Sequence, residues 1–217
     1  MNLLPLDENA ALFAQGYLTT LQLSIGAIVL SLVLGTIVAC LRVWGGAVLE
    51  ALTRGYVEFF RNTPLLVQLL FLAVLLAPAN LNITRDAFVA ALIGLSIYTA
   101  SYVSEAVRSG ILSVDLRQME AARGLGLSQL EAIRFVVLPQ AIRTVIPPLG
   151  NLSIALVKNT AIASGIAANE MLKAAGVLES RTLQFEWYYL AVLGYWTMTI
   201  PLAWLVGRIE RRLAYAR

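Results

Sequence analysis

Five stretches of the chain are almost continuously apolar and are long enough, or nearly so, to cross a bilayer. They cover about residues 18–41, 56–77, 87–107, 146–168 and 187–206. A helix needs about 20 mostly apolar residues to span the hydrocarbon core of a membrane. The second stretch is the least regular, since its strongly apolar part begins at Thr63 after a more polar lead-in from Tyr56. The pattern predicts five transmembrane helices, and the lack of any internal repeat predicts one domain over residues 1–217.

The composition supports an integral membrane protein. Hydrophobic residues make up 59% of the 217 residues, and charged residues only 13%. Soluble domains carry about 25% charged residues, so a water-soluble fold of this length would leave much apolar surface exposed. Lipid as the solvent removes that difficulty.

The residue types that are missing also limit the chemistry. The chain has no histidine, and Cys40 is its one cysteine. A Ser-His-Asp relay, a Cys-His pair, a His-ligated zinc site and an internal disulfide are therefore excluded. No GxxxxGK[ST] loop is present, so the chain does not bind ATP in that way. We expect no catalytic residue, no metal and no cofactor bound by this chain.

The basic residues predict an orientation, because cytoplasmic loops are enriched in Lys and Arg. Eleven follow the first, third or fifth apolar stretch: Arg42, Arg54, Arg108, Arg117, Arg123, Arg134, Arg143, Arg208, Arg211, Arg212 and Arg217. Three follow the second or fourth stretch: Arg85, Lys173 and Arg181. This ratio predicts an N-terminus outside and a C-terminus inside.

The long inner loop, about residues 108–145, contains the amphipathic sequence MEAARGLGLSQLEAIRFVVLPQ. Its apolar spacing predicts helix, bend, helix, with the bend at Gly124 and Gly126. Pro139 is predicted to end or kink the second helix, and Pro147 and Pro148 to begin the fourth span. Such a segment is either a rigid docking element for another protein or an amphipathic loop on the bilayer surface. As a docking element, it would use the charges of Glu120 and Arg123 at its edge.

The same loop resembles the EAA loop of ABC importer permeases. That pattern is EAA, three residues, Gly, nine residues, Ile, one residue, Leu-Pro. The matching residues here are Glu120, Ala121, Ala122, Gly126, Leu138 and Pro139. The departure is Val136, where the family has Ile. The resemblance implies that these residues, with Arg123, couple the chain to an ATPase.

Two further stretches resemble permeases of the polar amino-acid uptake family. YVEFFRNTPLLVQLLF (Tyr56–Phe71) is similar to the opening of their second core helix, with Asn62 in place of Gly. PPLGNLSIALVKNTAIAS (Pro147–Ser164) is similar to their Pro-Pro-Leu-Gly-Asn and Lys-Asp-Thr-Ser-Leu-Ala stretch. Three residues there depart from the family pattern: Asn159, Ala161 and Ile162.

The resemblance covers about residues 17–217 and implies an all-α type I ABC importer permease fold with five transmembrane helices and a cytoplasmic coupling helix. It implies a bacterial cytoplasmic (inner) membrane protein that works as a dimer, with a second copy or a sister permease. The implied partners are ABC ATPase subunits that bind ATP and Mg²⁺, an extracytoplasmic amino-acid-binding protein and lipid, but no nucleic acid.

Lys158 is the clearest charged residue within a predicted span. A lysine at that depth costs roughly 3 kcal/mol, so it is expected to face a cavity or a partner. It is a candidate for the substrate path, where it would attract a carboxylate; the alternatives are an ion pair with Glu105 or Glu58, or snorkelling. Asn159, Thr160 and Ser164 follow it and are further path candidates or helix-packing groups.

The second and third spans supply the other path candidates. Arg61 is expected at the cytoplasmic mouth, either snorkelling or acting as a gate that pairs with a glutamate. Pro64 is predicted in the first turn of the second span, with Thr63 as its cap. The remaining candidates are Gln68, Glu58, Tyr98, Tyr102 and Glu105, and Glu105 can pair locally with Arg108.

Four functional classes remain to be weighed. A permease subunit of an ABC importer for polar amino acids accounts for the loop and the polar spans. A stand-alone secondary carrier or channel is the alternative, although five spans are few for an inverted-repeat carrier. An intramembrane enzyme lacks titratable catalytic groups. A simple membrane anchor would need neither Lys158 nor the polar half of the third span.

Overall fold

The structure, a computed structural model, describes the backbone of residues 6–214 and the side chains of residues 8–213. The regular secondary structure of these residues is helical. The ends of the predicted domain, including Arg217, lie outside these residues. The elements are α1 (Leu6–Trp44), α2 (Gly46–Asn62), α3 (Leu65–Leu76), α4 (Ala87–Leu112), α5 (Leu116–Gly124), α6 (Gln129–Ala132), a π-helical turn (Ile133–Val137), α7 (Leu138–Asn159), a 3-10 segment (Thr160–Ile166), α8 (Met171–Thr182) and α9 (Glu186–Ala214). The predicted all-α membrane fold is confirmed.

Four helical stretches in the described residues are long and apolar enough to cross a membrane. They are Glu8–Trp44, Ala87–Leu112, Gln129–Ile166 and Glu186–Leu213. A fifth crossing is possible only if α2 and α3 are taken together, and these two helices meet at an angle of 113°. The stretch predicted as the second span, about residues 56–77, is therefore bent between Asn62 and Leu65.

The break between α2 and α3 follows from Pro64. A residue before proline is driven out of the helical region, and Thr63 is extended with φ −119° and ψ 146°. Pro64 occupies the N-cap position of α3, so Thr63 is not the predicted cap. Its hydroxyl instead donates to the Phe59 carbonyl at the end of α2, at 2.8 Å.

Gln68 compensates for the carbonyl groups that the break leaves without helical partners. Its Nε2 donates to the carbonyl oxygens of Phe60 and Thr63, at 2.9 and 3.0 Å, and to the Thr63 hydroxyl at 2.5 Å. Unpaired carbonyls at a helix end are costly away from water. Gln68 therefore holds the two half-helices in their bent arrangement.

The segment predicted as the long inner loop continues into the fourth span without a break. The helix runs from Gln129 to Ile166, with a π-helical turn at Ile133–Val137 immediately before Pro139. A π turn accommodates an irregular hydrogen bond without ending the helix. Pro139 therefore lies in the first turn of α7, and Pro147 and Pro148 lie inside α7 rather than at the start of a span.

Helices α1 and α4 form the most extensive helix–helix contact among the described residues. A Cβ atom placed on Gly35 would lie 2.5 Å from the Val103 side chain, and one on Gly26 would lie 2.9 Å from Leu92. Small residues allow this approach, which is the usual packing of transmembrane helices. The core beside this contact contains fully buried leucines, among them Leu95.

Helix α8 is attached at its first residues to both α1 and α9. The Glu170 carboxylate is fully buried and accepts hydrogen bonds from the backbone amides of Leu172 and Lys173 and from the Tyr195 hydroxyl, at 2.7–2.8 Å. The Met171 amide donates to the Thr20 hydroxyl at 2.9 Å. Glu170 is thus the N-cap of α8 and its link to α9.

We expect Glu170→Ala to destabilise the protein because it leaves two amides and the Tyr195 hydroxyl buried without an acceptor, at a cost of about 1–3 kcal/mol each. The melting temperature of the detergent-purified protein would fall, and protease would cleave α8 more rapidly. Glu186→Ala, an exposed position in the first turn of α9, is the control. Equal melting temperatures for the two variants would contradict this role.

Candidate functional site

The coupling segment, defined as α5, the turn after it and α6, is a rigid helix–turn–helix. Its turn places Gly126 at φ +90°, a conformation that favours glycine. The Leu127 amide donates to the Ala122 carbonyl at 3.2 Å, which closes the end of α5. Ser128 and Glu131 form a reciprocal capping box at the start of α6. The predicted helix, bend, helix is confirmed, with the positive φ at Gly126.

Most of the predicted coupling residues are exposed. These are Glu120, Ala121, Arg123, Gly126, Leu138 and Pro139. Ala122 is instead 4% exposed, so its small side chain serves packing within the segment. Three large apolar side chains beside them are exposed by 75–83%: Leu116 at 78%, Leu125 at 83% and Leu130 at 75%. A projecting segment of this kind is suited to contact with another macromolecule or with lipid.

A second group of charges joins α1 to α4. The Glu105 carboxylate accepts from Arg42 and from Arg108, both at 2.5 Å. The predicted pairing of Glu105 with Arg108 is confirmed. Arg42 was not predicted from the sequence as the second partner of Glu105. The signal that could have indicated this pair is a basic residue at the end of the first span and an acidic residue near the end of the third. The Arg42 side chain is 10% exposed, so this pair is partly shielded from water.

The same charges border a cavity between α2 and α4 of about 560 Å³. It is lined by Arg42, Glu50, Arg54, Val57, Glu58, Arg61, Asn62, Tyr102, Glu105 and Arg108. The fold therefore brings four predicted path residues together: Glu58, Arg61, Tyr102 and Glu105. We call this space the α2/α4 cavity.

Within the α2/α4 cavity, Glu58 and Arg61 do not pair with each other. Glu58 pairs with Arg54 at 2.8 Å, while the guanidinium of Arg61 lies over the Tyr102 ring, 5.2 Å from its centroid. The structure thus shows a cation–π contact for Arg61 and no pair with a glutamate, which was one of its two predicted roles. Tyr98 lies one turn away, with its hydroxyl 3.1 Å from that of Tyr102.

Lys158 lies apart from this cavity. It is exposed and borders a mostly apolar groove of about 520 Å³ between α7 and α9, beside Tyr195, Trp196 and Thr199. The ion pair with Glu105 or Glu58, one of the alternatives considered for Lys158, is absent, since both glutamates are paired with arginines.

The polar residues that follow Lys158 differ in burial and in hydrogen bonding. Thr160 is fully buried and donates to the Val157 carbonyl at 2.7 Å, and Ser164 donates to the Ala161 carbonyl at 2.7 Å. Both hydroxyls thus bond to their own helix. Asn159 is half-buried. The predicted path residues are therefore divided among the α2/α4 cavity, the Lys158 groove and the Gln68 bend.

These features describe an all-helical membrane protein with a projecting helix–turn–helix. Residues 31–215 match the family described as "Binding-protein-dependent transport system inner membrane component", and the chain belongs to that family. The resemblance to ABC importer permeases is confirmed.

Individual relatives match over nearly the whole chain. The chain is 40% identical over 214 residues to the probable glutamine ABC transporter permease protein GlnM of Bacillus subtilis, covering 98% of both proteins. It is 37% identical to the probable amino-acid ABC transporter permease protein PatM of Vibrio harveyi, covering 92% of this chain and 91% of that one.

Solved structures match as well. A chain from the crystal structure of an amino acid ABC transporter with histidines superposes with a TM-score of 0.86 at 34% identity, covering 98% of this chain and 100% of that one. A chain of the MetNI methionine ABC transporter gives a TM-score of 0.77 at 19% identity, covering 94% and 97%, and supports the fold alone.

We expect Glu105→Ala to destabilise the protein by about 1–3 kcal/mol, because two arginines lose a charged hydrogen-bond partner between α1 and α4. Glu58→Ala is the matched control. Its pair with Arg54 is 58–65% exposed, and exposed pairs contribute little. Melting in detergent measures both variants, and an equal effect would show that the Glu105 pairs do not hold the helices together.

Proposed function

We propose that the chain is the membrane-spanning permease subunit of a binding-protein-dependent ABC importer for polar amino acids. The observation that carries this proposal is the exposed coupling segment, built around Gly126, in a chain that matches amino-acid permeases from end to end. The chain performs no covalent chemistry. ABC ATPase subunits dock on the coupling segment, and those subunits bind ATP and Mg²⁺.

The proposed orientation places the N-terminus outside and the coupling segment in the cytoplasm of a bacterial inner membrane. Two clusters at opposite ends of α1 support it. Arg42, at one end, pairs with Glu105, whereas Gln15 and Gly16, near the other end, border a cavity with Arg85. The basic residues that we assign to opposite sides of the membrane thus lie at opposite ends of the same helix.

The Lys158 groove supports a permease dimer. An exposed ammonium at the depth of a span is costly in contact with lipid. The described residues offer it no ion pair, and apolar side chains such as Trp196 surround it. A second permease, either a copy of this chain or a sister chain, covers this face and leaves Lys158 beside a shared aqueous path. There it attracts the carboxylate of the amino acid.

The long helix from Gln129 to Ile166 gives a route for coupling. It connects α6 directly to the turn that carries Lys158, a distance of roughly 40 Å at 1.5 Å per residue. When the ATPase subunits close, they move the coupling segment, and α7 carries that movement to the path. The α2/α4 cavity, with Arg61, Tyr102 and Glu105, lies beside the cytoplasmic end of the path and serves as its inner gate.

We expect Gly126→Ala to reduce ATP-driven uptake at least several-fold in proteoliposomes that contain the ATPase and the binding protein. The substitution forces a residue with a Cβ to φ +90° and distorts the docking turn. Gly124→Ala is the matched control, because that glycine is equally open and has no positive φ. Uptake that persists without any ATPase subunit would favour a stand-alone carrier and contradict the proposal.

Lys158→Ala is expected to lower uptake, through a raised KM for the amino acid, while Lys158→Arg retains most of the activity because the positive charge is kept. The measurement is the initial rate of labelled amino-acid uptake against concentration in the assembled complex. Wild-type kinetics for Lys158→Ala would assign the residue to a structural role.

A further inference from the structure

All three basic residues that we assign to the outer side border one cavity. Arg85, Lys173 and Arg181 line a space of about 550 Å³ between the first turns of α1, the start of α4 and α8. The positive-inside rule disfavours basic residues on this side of the membrane. Their concentration at one place, on two elements far apart in the chain, indicates a common use.

None of the three side chains has an anionic partner among the described residues. Glu58 and Glu105, which do form ion pairs, bind Arg42, Arg54 and Arg108 instead. The one carboxylate that borders the cavity, Asp86, accepts from the Phe88 amide at 2.9 Å as the N-cap of α4. Three cations against one carboxylate leave the cavity with a net charge of +2.

The exposure of these basic residues and their polar neighbours suits contact with the surface of another protein. Arg85 and Arg181 are exposed, while Lys173 is half-buried lower on α8. Gln15 and Asn169 lie beside them as neutral hydrogen-bonding groups. Charges at an exposed rim steer the approach of a complementary surface and set its register. The partner that meets this side of a binding-protein-dependent permease is the extracytoplasmic binding protein.

We infer that this cavity, which we call the outer basic cavity, is a docking surface for acidic side chains of the binding protein. The inference rests on the proposed function and on its orientation. Arg85 and Arg181 form bidentate hydrogen bonds with carboxylates at the rim, and Lys173 receives a carboxylate deeper in the cavity. Docking there places the binding protein against α8, whose first residues are attached to α1 and α9 through Glu170 and Thr20.

The test uses the whole complex of permease and ATPase subunits in nanodiscs of phosphatidylcholine, which carries no net charge. The probe is the binding protein that stimulates ATP hydrolysis by the wild-type complex, added over a range of concentrations. We expect Lys173→Gln and Arg181→Gln each to raise the concentration for half-maximal stimulation roughly three- to tenfold at low salt. The difference shrinks at high salt, and hydrolysis without binding protein stays unchanged.

Gln184→Glu is the matched control, because it lowers the outer charge by one as Lys173→Gln does but lies outside the cavity. Arg181→Lys keeps the charge and is expected to retain most of the affinity. Unchanged half-maximal concentrations in the glutamine variants would overturn the inference, as would an equal effect of Gln184→Glu. An effect on the KM for a free anionic amino acid alone would also overturn it, in favour of a small-solute site. A wild-type complex that no binding protein stimulates would instead refute the proposed function.

Discussion

The backbone of a chain surrounded by hydrocarbon must satisfy its own hydrogen-bonding groups, and this constraint explains the fold. Regular helices meet it by themselves, and each break needs a polar side chain to replace what the helix loses. At the α2–α3 bend that side chain is Gln68, whose amide nitrogen bonds to two freed carbonyls and the Thr63 hydroxyl. At the start of α8, Glu170 and Thr20 accept three freed amides. Gln68, Glu170 and Thr20 thus have structural roles.

The same breaks position the parts that a transporter moves. The bend at Pro64 turns α2 towards the C-terminal half of α4, which creates the α2/α4 cavity and places Arg61 over Tyr102. The π turn before Pro139 has the opposite effect, because it keeps α6 and α7 in one helix. The exposed coupling segment and the Lys158 groove are therefore joined by one continuous helix. The proposed transport cycle uses that connection.

The sequence predicted the features that depend on composition and local pattern. Long apolar stretches indicated the membrane fold, and the glycine spacing around Gly126 indicated the turn of the coupling segment. It could not predict features that depend on distant contacts. Hydropathy assigned the polar lead-in from Tyr56 and the apolar run from Thr63 to one span, so it did not reveal the bend at Pro64. Arg42 meets Glu105 across 63 positions of sequence. Pro147 and Pro148 resembled a helix start, but tertiary packing maintains α7 through them.

The most direct measurement is a pair of cryo-electron microscopy structures of the assembled complex in lipid, one with ATP bound and one without nucleotide. We expect Glu120, Ala121 and Gly126 to lie against an ATPase subunit in both structures. We also expect the helix from Gln129 to Ile166 to shift as a single body between them. A coupling segment that touches only lipid or solvent, or a helix that bends at the π turn while Lys158 stays in place, would contradict the proposed coupling.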